Sequence, residues 1–236
     1  MQQRRAASCG VGLVVPAAGV GMRLGRGDKA FLELAGAPLV VHTLRRFLPL
    51  AEIGPIVVVA PPERLEAMEE LVRPLGRPGR ISVCAGGPTR RDSVRLGLAA
   101  LPGVELVLVH DAARPLVSAA LIRRVLAEVA ETGAALPGLA PRDAVRQVRD
   151  GRLGGPLDRR SLILAQTPQG FRRALLEEAH ARGAAEGLEA DDDAQLVWAL
   201  GHPVAVVPGE EANLKVTVDS DLLPCEQHLL RQQVTA

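Results

Sequence analysis

The sequence predicts a doubly wound α/β fold with a mainly parallel sheet. Short β-branched apolar runs recur along the chain, at 11–15, 55–60, 81–86, 105–111 and 203–209. Segments between them place apolar residues at helical spacing, at 38–50, 62–73, 91–101 and 118–132. Continuous apolar strands that alternate with helices are typical of a parallel sheet covered on both faces. In such folds, ligands bind beyond the carboxyl ends of the strands.

Length and composition favour one compact domain spanning 1–236. The 236 residues are 47% hydrophobic and carry a formal net charge of +1, so no chain-wide field attracts nucleic acid or an anionic membrane. The apolar runs are shorter than the roughly 18 residues that span a bilayer, so we expect no membrane association. The three cysteines and five histidines are scattered without metal-ligand spacing. Together with an N-terminus that lacks a signal-peptide pattern, they predict a cytoplasmic protein with reduced thiols.

One segment interrupts the alternation of strands and helices. Residues 137–160 are rich in Pro, Gly and Arg, and "VRQVRDGRL" alternates around Asp150-Gly151, a favoured two-residue hairpin turn. This pattern predicts a β-arm that projects from the domain. Because an isolated two-stranded hairpin is marginal in water, we expect the arm to pack on another subunit.

The first strand runs into a glycine loop, "VVPAAGVGMRLGRGDKAF". Gly19 and Gly21 suggest the dinucleotide pattern G-x-G-x-x-G, but its sixth position is Leu24. The P-loop pattern also fails, because an aspartate stands between the last glycine and Lys29. Glycines still let backbone N–H groups approach phosphate oxygens, and the basic residues add charge. The loop is therefore a candidate phosphate site, with a simple strand-to-helix turn as the alternative.

Two further strands end in stretches that suit the same site. "GGPTRRDSV" follows a strand with glycines and leads into a helix, with Asp92 or Ser93 as the expected N-cap. "VHDAARP" ends another strand with Asp111 and Arg114. The carboxyl ends of parallel strands lie along one edge, so we expect these groups to converge on one crevice. Beside a triphosphate, Asp111 would engage Mg²⁺ directly or through water, whereas a turn cap is its simpler role.

Two other acidic or titratable features have structural explanations. His110 is a conceivable acid or base, but we favour a ring that packs beside its strand and bonds locally. The acidic run Asp191 to Asp193 is a conceivable metal site, but capping of a helix start explains it more simply.

Five ordered motifs resemble those of the 2-C-methyl-D-erythritol 4-phosphate cytidylyltransferases of the non-mevalonate isoprenoid pathway. The motifs are "PAAGVGMRLGRGDKAF", "GGPTRRDSVRLGL", "VLVHDAARP", "LAQTPQGF" and "NLKVT", and the resemblance covers residues 10 to about 225. It implies a Rossmann-like nucleotidyltransferase fold of the nucleotide-diphosphosugar transferase type. It also implies a homodimer whose β-arms reach into the partner's site, CTP as a substrate with Mg²⁺ as the cofactor, and release of pyrophosphate.

The resemblance also implies roles for individual residues. Those expected to bind CTP are Pro16, Ala17, Ala18, Gly19, Gly21, Gly86, Ser93, Asp111 and Ala112. Those expected to act on the reacting phosphates are Arg23, Lys29 and Lys215. Those expected to face the sugar-alcohol phosphate are Asp111, Ala112, Arg114, Thr167 and Asp191, with Arg159 contributed by the other subunit's arm.

Three positions depart from the family pattern. The chain has Asp28-Lys29-Ala30 where the family usually has Pro-Lys-Gln, so the charge is kept but its neighbours change. On the arm, Asp143 is followed by Ala144, where the family commonly has a threonine, so a hydroxyl is missing; Asp191 stands where a small hydroxyl residue is common. The last two leave the acceptor open, so another polyol phosphate such as ribitol 5-phosphate is an alternative. A nucleotide-binding protein without catalysis is a second alternative, and a Rossmann oxidoreductase is the least favoured.

Overall fold

The computed structural model describes residues 10–19 and 28–234, and it confirms the predicted α/β fold. Twelve strands are found in this part of the chain: β1 (Val11–Pro16), β2 (Glu33–Leu34), β3 (Ala37–Pro38), β4 (Ile53–Ala60), β5 (Ile81–Ala85), β6 (Leu106–Val109), β7 (Ala134–Leu139), β8 (Arg146–Arg149), β9 (Arg152–Pro156), β10 (Leu164–Ala165), β11 (Gln169–Arg172) and β12 (Ala205–Pro208). The α-helices are α1 (Leu39–Phe47), α2 (Leu65–Val72), α3 (Arg90–Ala100), α4 (Ala119–Thr132), α5 (Arg173–Glu186), α6 (Asp193–Ala199) and α7 (Leu222–Val234). None of these helices is long and apolar enough to cross a bilayer.

The central sheet has eight strands in the order β10-β7-β11-β6-β1-β4-β5, with β12 paired to β7. Strands β1, β4, β5 and β6 are parallel neighbours, whereas β11 runs antiparallel to both β6 and β7. The chain winds outward from β1 to β5 and then crosses back to β6 on the other side of β1. The strand order therefore reverses between β1 and β6, which is where doubly wound folds bind ligands.

The core lies on both faces of this sheet, as the continuous apolar strands predict. Along β1, Leu13 and Val15 pack on the face covered by α1, α2 and α4. Val14 points the other way, toward α3, α5 and α6. Helix α3 approaches the sheet closely, because a Cβ built at Gly97 would lie 2.6 Å from side-chain atoms of Val14 and Val59. This close packing fixes the height of α3 above the sheet and, with it, the start of the helix at the edge of the site.

The predicted hairpin forms from β8 and β9. Asp150 (φ 50°) and Gly151 (φ 73°) both adopt the left-handed conformation, as two-residue hairpin turns of this type require. Val148 pairs with Leu153 across the hairpin, and both side chains are exposed. The arm is shorter than the predicted 137–160, because residues up to Leu139 belong to β7 of the central sheet. Those residues pair with β12, so they are held by the core and do not project.

Candidate active site

The carboxyl ends of β1, β5 and β6 enclose a cleft of about 320 Å³. Its wall combines backbone from the first strand's loop, the start of α3, the turn after β6 and one residue before α7. The lining residues are Pro16, Ala17, Ala18, Gly19, Lys29, Ala30, Gly87, Pro88, Thr89, Arg90, Ser93, Asp111, Ala112, Ala113 and Lys215. The three strand ends that the sequence predicted to converge therefore share one cleft.

The glycine loop begins at the cleft wall and is held there by the sheet. The backbone N–H of Ala17 donates to the carbonyl of Val59 at 2.8 Å, which extends the β1–β4 pairing beyond Pro16. Gly19 lines the cleft, and a Cβ on it would have no atom within 4 Å. The predicted Gly21 and Arg23 lie outside the described residues.

Gly86 sits immediately behind the glycine loop and does not itself line the cleft. A Cβ at this position would lie 2.4 Å from the Cβ of Ala18 and 2.9 Å from the Oγ of Ser93. Ser93 in turn fixes the following residue, because its hydroxyl accepts from the Gly87 N–H at 3.2 Å. Gly86 therefore allows the loops after β1 and β5 to approach each other, while the buried Ser93 is among the residues that line the cleft.

The cap of α3 differs from the prediction. Thr89 is the N-cap, and its side chain accepts a hydrogen bond from the N–H of Asp92 at 3.0 Å. The expected caps, Asp92 and Ser93, instead lie inside the first turn. There a carboxylate still complements the positive end of the helix, which is why Asp92 suits this position as well. The earlier start brings Arg90 to the edge of the cleft.

Asp111 is surrounded by three positive side chains. Lys215 Nζ lies 2.8 Å from its Oδ2, Arg90 Nε lies 3.4 Å from its Oδ1, and Arg114 Nε lies 3.8 Å from its Oδ2. Burial raises the pKa of Asp111, but the charges of Arg90, Lys215 and Arg114 outweigh it and hold the pKa below its usual range. The carboxylate is therefore ionised at neutral pH.

His110 and Thr167 hold the backbone of Asp111 in place. The Asp111 N–H donates to Thr167 Oγ1 at 3.1 Å, and this hydroxyl lies 3.0 Å from His110 Nδ1. His110 Nε2 lies 3.0 Å from the Arg114 carbonyl, an acceptor, so Nε2 carries the proton and Nδ1 accepts from Thr167. Burial lowers the pKa of His110 to about 4, which keeps the ring neutral. The interpretation of His110 as a locally bonded residue is confirmed.

Lys29 and Lys215 meet at the cleft from opposite ends of the sequence. Lys29 lies on a 3₁₀ turn (Lys29–Phe31), and its Nζ donates to the Thr217 carbonyl at 3.1 Å. Thr217 is two residues beyond Lys215, so the two lysines share one wall of the cleft. They are also the only two lysines of the sequence. Arginines occur along the whole chain, whereas both lysines lie at the cleft.

Several residues predicted for the site do not line the cleft. Arg114 is buried, and its guanidinium donates to the Asn213 carbonyl at 2.8 Å and to the Ala165 carbonyl at 3.3 Å. Arg159 is exposed at the base of the arm and does not line the cleft of its own chain. Asp191 is exposed and lines a neighbouring cavity of about 710 Å³, which shares Thr89 and Arg90 with the cleft. Asp192 is the N-cap of α6, as the capping explanation predicted.

The sequence did not single out Arg90 or His180, and it indicated Asp193 only as part of an acidic run that capping explains. Arg90 Nη1 contacts Asp193 Oδ2 at 2.8 Å, and His180 Nε2 contacts Asp193 Oδ1 at 3.0 Å. Burial raises the pKa of Asp193, but Arg90 and His180 outweigh that effect and lower it. The signal available in the sequence was that the acidic run contains three carboxylates, two more than an N-cap needs.

Carboxylate ligands for a metal are sparse in the described residues. No group of three or more His, Cys, Asp or Glu side chains there could hold a metal ion. Among the described residues that line the cleft, Asp111 is the single carboxylate, and it is already in contact with Lys215. A divalent cation at this place would need most of its ligands from substrate phosphates and water, as Mg²⁺ commonly does.

The comparisons with known proteins agree with the motifs. The profile of the family described as IspD, 2-C-methyl-D-erythritol 4-phosphate cytidylyltransferase, matches residues 11–231. The protein of that name from Thermus thermophilus is 46% identical over 218 residues, covering 92% of this chain and 95% of that protein. The one from Acidobacterium capsulatum is 38% identical over 222 residues, covering 89% and 93%. The solved 4-diphosphocytidyl-2C-methyl-D-erythritol synthase of Anaerococcus prevotii superposes with a TM-score of 0.82 at 27% identity, covering 94% and 99%. The chain therefore belongs to the 2-C-methyl-D-erythritol 4-phosphate cytidylyltransferase family.

Proposed function

We propose that this protein transfers the cytidylyl group of CTP to 2-C-methyl-D-erythritol 4-phosphate, giving 4-CDP-2-C-methyl-D-erythritol and pyrophosphate. The observation that carries the proposal is the cleft itself. Two lysines and one ionised aspartate converge at the strand ends, and no histidine is among the described residues that line it. Such a site suits chemistry that needs positive charge and positioning more than it needs a general base.

The reaction joins two anions. An oxygen of the acceptor phosphate attacks the α-phosphorus of CTP, a new P–O bond forms, and the bond to the β-phosphate bridging oxygen breaks. A phosphate monoester has a second pKa near ~6, so it is largely ionised at neutral pH and needs no base to remove a proton. The bond-breaking electron pair leaves with pyrophosphate. The protein must therefore overcome repulsion between the reactants and stabilise charge on the leaving group.

Two basic residues of the cleft lining, Lys29 and Lys215, suit this task. Both present ammonium groups at the cleft wall, and the Lys215 side chain is 43% exposed, so it can turn from Asp111 toward a phosphate. We assign them, with Arg23, to the reacting phosphates. Losing one such donor typically costs about 10²–10³-fold in rate, and we expect at least about a hundredfold loss for Lys29→Ala and Lys215→Ala.

The remaining site assignments follow the walls of the cleft. Pro16 to Gly19, with Gly21, would hold the triphosphate, while Gly86 and Ser93 place the loop that faces the nucleoside. Asp111 and Ala112 would face the junction of the two substrates. Thr167 and Arg114 hold the turn that carries Asp111, since their polar groups are bonded inside the protein.

Mg²⁺ fits this site as an ion held mainly by phosphate oxygens. In the described part of the cleft the donor set is one carboxylate, Asp111, whose oxygens already face Lys215, Arg90 and Arg114. That arrangement favours contact of Asp111 with the ion through water. When bound, Mg²⁺ would neutralise charge on the triphosphate.

The chain is proposed to act as one catalytic domain that dimerises through its arm. Val148 and Leu153 are 68% and 75% exposed, so the hairpin presents apolar side chains that a second subunit would cover. Arg159 at its base would then reach the partner's site. Sedimentation at micromolar concentration should show a dimer, and Leu153→Asp should shift it toward monomer. A wild-type monomer under these conditions would contradict the assignment. A cytoplasmic location stays a prediction.

The function is tested by CTP-dependent pyrophosphate release. We expect release with 2-C-methyl-D-erythritol 4-phosphate and not with CTP alone. Release only with ribitol 5-phosphate would establish the alternative acceptor, which Ala144 and Asp191 keep open. CTP binding without turnover on either acceptor would show a nucleotide-binding protein that lacks catalysis.

A further inference from the structure

We propose that Arg90 is a positioning residue for this reaction, which holds the carboxylate of Asp111 in place through an anchor formed by Asp193 and His180. The proposal rests on the proposed function, since Asp111 matters only if the cleft carries out the transfer. Arg90 begins α3, Asp111 follows β6, and Asp193 begins α6, so the three residues come from separate elements. One guanidinium joins them, with contacts of 3.4 Å to Asp111 and 2.8 Å to Asp193.

The anchor on the far side of Arg90 is buried and hydrogen-bonded. Asp193 is 2% exposed, and its second oxygen accepts from His180 Nε2 on α5 at 3.0 Å. Gln169 of β11 also holds the start of α6, because its Oε1 accepts from the Ala194 N–H at 3.0 Å and its Nε2 donates to Asp192 at 2.8 Å. Asp193 is therefore fixed from two elements, and it fixes the end of Arg90 in turn.

The need for this anchor follows from the role of Lys215. In the structure Lys215 neutralises Asp111 at 2.8 Å, but the same ammonium is required at the phosphate chain. When it turns to the phosphates, Asp111 keeps a buried negative charge that needs other partners. Arg114 and Arg90 supply them, and each is tied to the protein independently, Arg114 by backbone carbonyls and Arg90 by Asp193. Arg90 thus lets Lys215 leave without displacing Asp111.

The test uses the 236-residue chain and steady-state pyrophosphate release. Arg90→Gln and Asp193→Asn should each lower kcat by tenfold or more, with the KM for CTP within about threefold of wild type. Arg90→Lys, which keeps a charge but reaches only one partner at a time, should recover part of the loss. The double variant Arg90→Gln with Asp193→Asn should be little worse than Arg90→Gln alone, because both changes break the same contact.

The control variant is Arg91→Gln. Arg91 neighbours Arg90 on α3, and its guanidinium is bonded to the Leu188 and Gly183 carbonyls and not to Asp111. Its kcat should stay within about twofold of wild type. Equal effects of Arg90→Gln and Arg91→Gln, or a loss confined to the KM for CTP, would overturn the proposal. If Arg90→Gln does not fold by circular dichroism, Arg90→Lys and Asp193→Asn carry the same test. A wild-type chain without pyrophosphate release would instead refute the proposed function.

Discussion

The contact between Gly86 and the glycine loop allows a sharp test of how the site is assembled. In the variant Gly86→Ala, the new methyl carbon would lie 2.4 Å from the Cβ of Ala18, whereas ordinary van der Waals contact begins at 3.4 Å. The shortfall is about 1 Å. The Ala18 methyl group is attached directly to the backbone and cannot rotate away, so the backbone of one loop must move.

A shift of about 1 Å at the site has a large kinetic effect and a smaller effect on stability. Misplacing a substrate-positioning group by about 1 Å can cost roughly 10²-fold in rate, which corresponds to about 2.7 kcal/mol. Overpacking of this kind lowers the free energy of unfolding by about 1–3 kcal/mol. We therefore expect Gly86→Ala to remain folded while its kcat/KM for CTP falls by about a hundredfold.

The assay measures pyrophosphate release at several CTP concentrations and follows thermal unfolding of the same preparations. Gly103→Ala is the matched control, since a Cβ at Gly103 would have no atom within 4 Å. It makes the same chemical change on an open surface and should be close to wild type in both measurements. If Gly86→Ala and Gly103→Ala have equal kcat/KM values, the close contact between Gly86 and Ala18 does not position the loops.

Three further predictions concern single side chains. Lys29→Arg and Lys215→Arg should each lower turnover at least tenfold in the pyrophosphate assay although they keep the charge, because a planar guanidinium does not replace a compact ammonium. Burial raises the pKa of the Cys225 thiol to about 11, so at pH 8 iodoacetamide should modify it on the order of a hundredfold more slowly than a free cysteine, as peptide mass spectrometry would show. Burial lowers the pKa of His42, so the unfolded chain takes up a proton below about pH 6.5 that the folded chain resists, and stability is lost as pH falls. His42→Gln should therefore lose less free energy of urea unfolding between pH 7.5 and 5 than wild type does; an equal loss would contradict this assignment.

The parallel part of the fold could be predicted from the sequence because its signal is local. A strand such as β4 is buried on both faces, with Ile56 and Val58 on one side and Val57 and Val59 on the other, so it appears as an unbroken β-branched run. The helices between such strands carry one apolar face, which gives a clear helical period. Both patterns can be recognised from consecutive residues of the sequence.

The second half of the sheet was harder to predict because its strands depend on distant partners. β11 (Gln169–Arg172) has the sequence QGFR, which has no strand pattern of its own. It is a strand because it fits between β6 and β7, with Phe171 buried and Gly170 leaving no room for a side chain below Val129. Such a strand is set by the surrounding tertiary structure more than by propensity.

The candidate site also has a part that could be predicted from the sequence and a part that could not. Asp111 could be predicted because it ends an apolar strand, a position that places a carboxylate at the edge of the sheet. Arg90 could not, because its role depends on Asp193, 103 residues later in the sequence. The seven-residue sequence of α6 gives no indication that its first residue, Asp193, is buried beside His180. Local patterns therefore located the cleft, while the contacts that hold it required the tertiary structure.

The distribution of basic residues supports different roles for arginine and lysine in the cleft. Of the 28 basic side chains in the sequence, 26 are arginines, so the two lysines at the cleft are a departure from what the chain uses elsewhere. The two arginines beside Asp111 each bridge several fixed partners, Arg90 two carboxylates and Arg114 a carboxylate and two carbonyls. A guanidinium fork suits that task because it makes several bonds in fixed directions. An ammonium is compact and flexible, and it can exchange a carboxylate for a phosphate oxygen without rearranging a network. The arginines are thus suited to fix the position of Asp111. The lysines are suited to move from a carboxylate to the phosphate oxygens during the reaction.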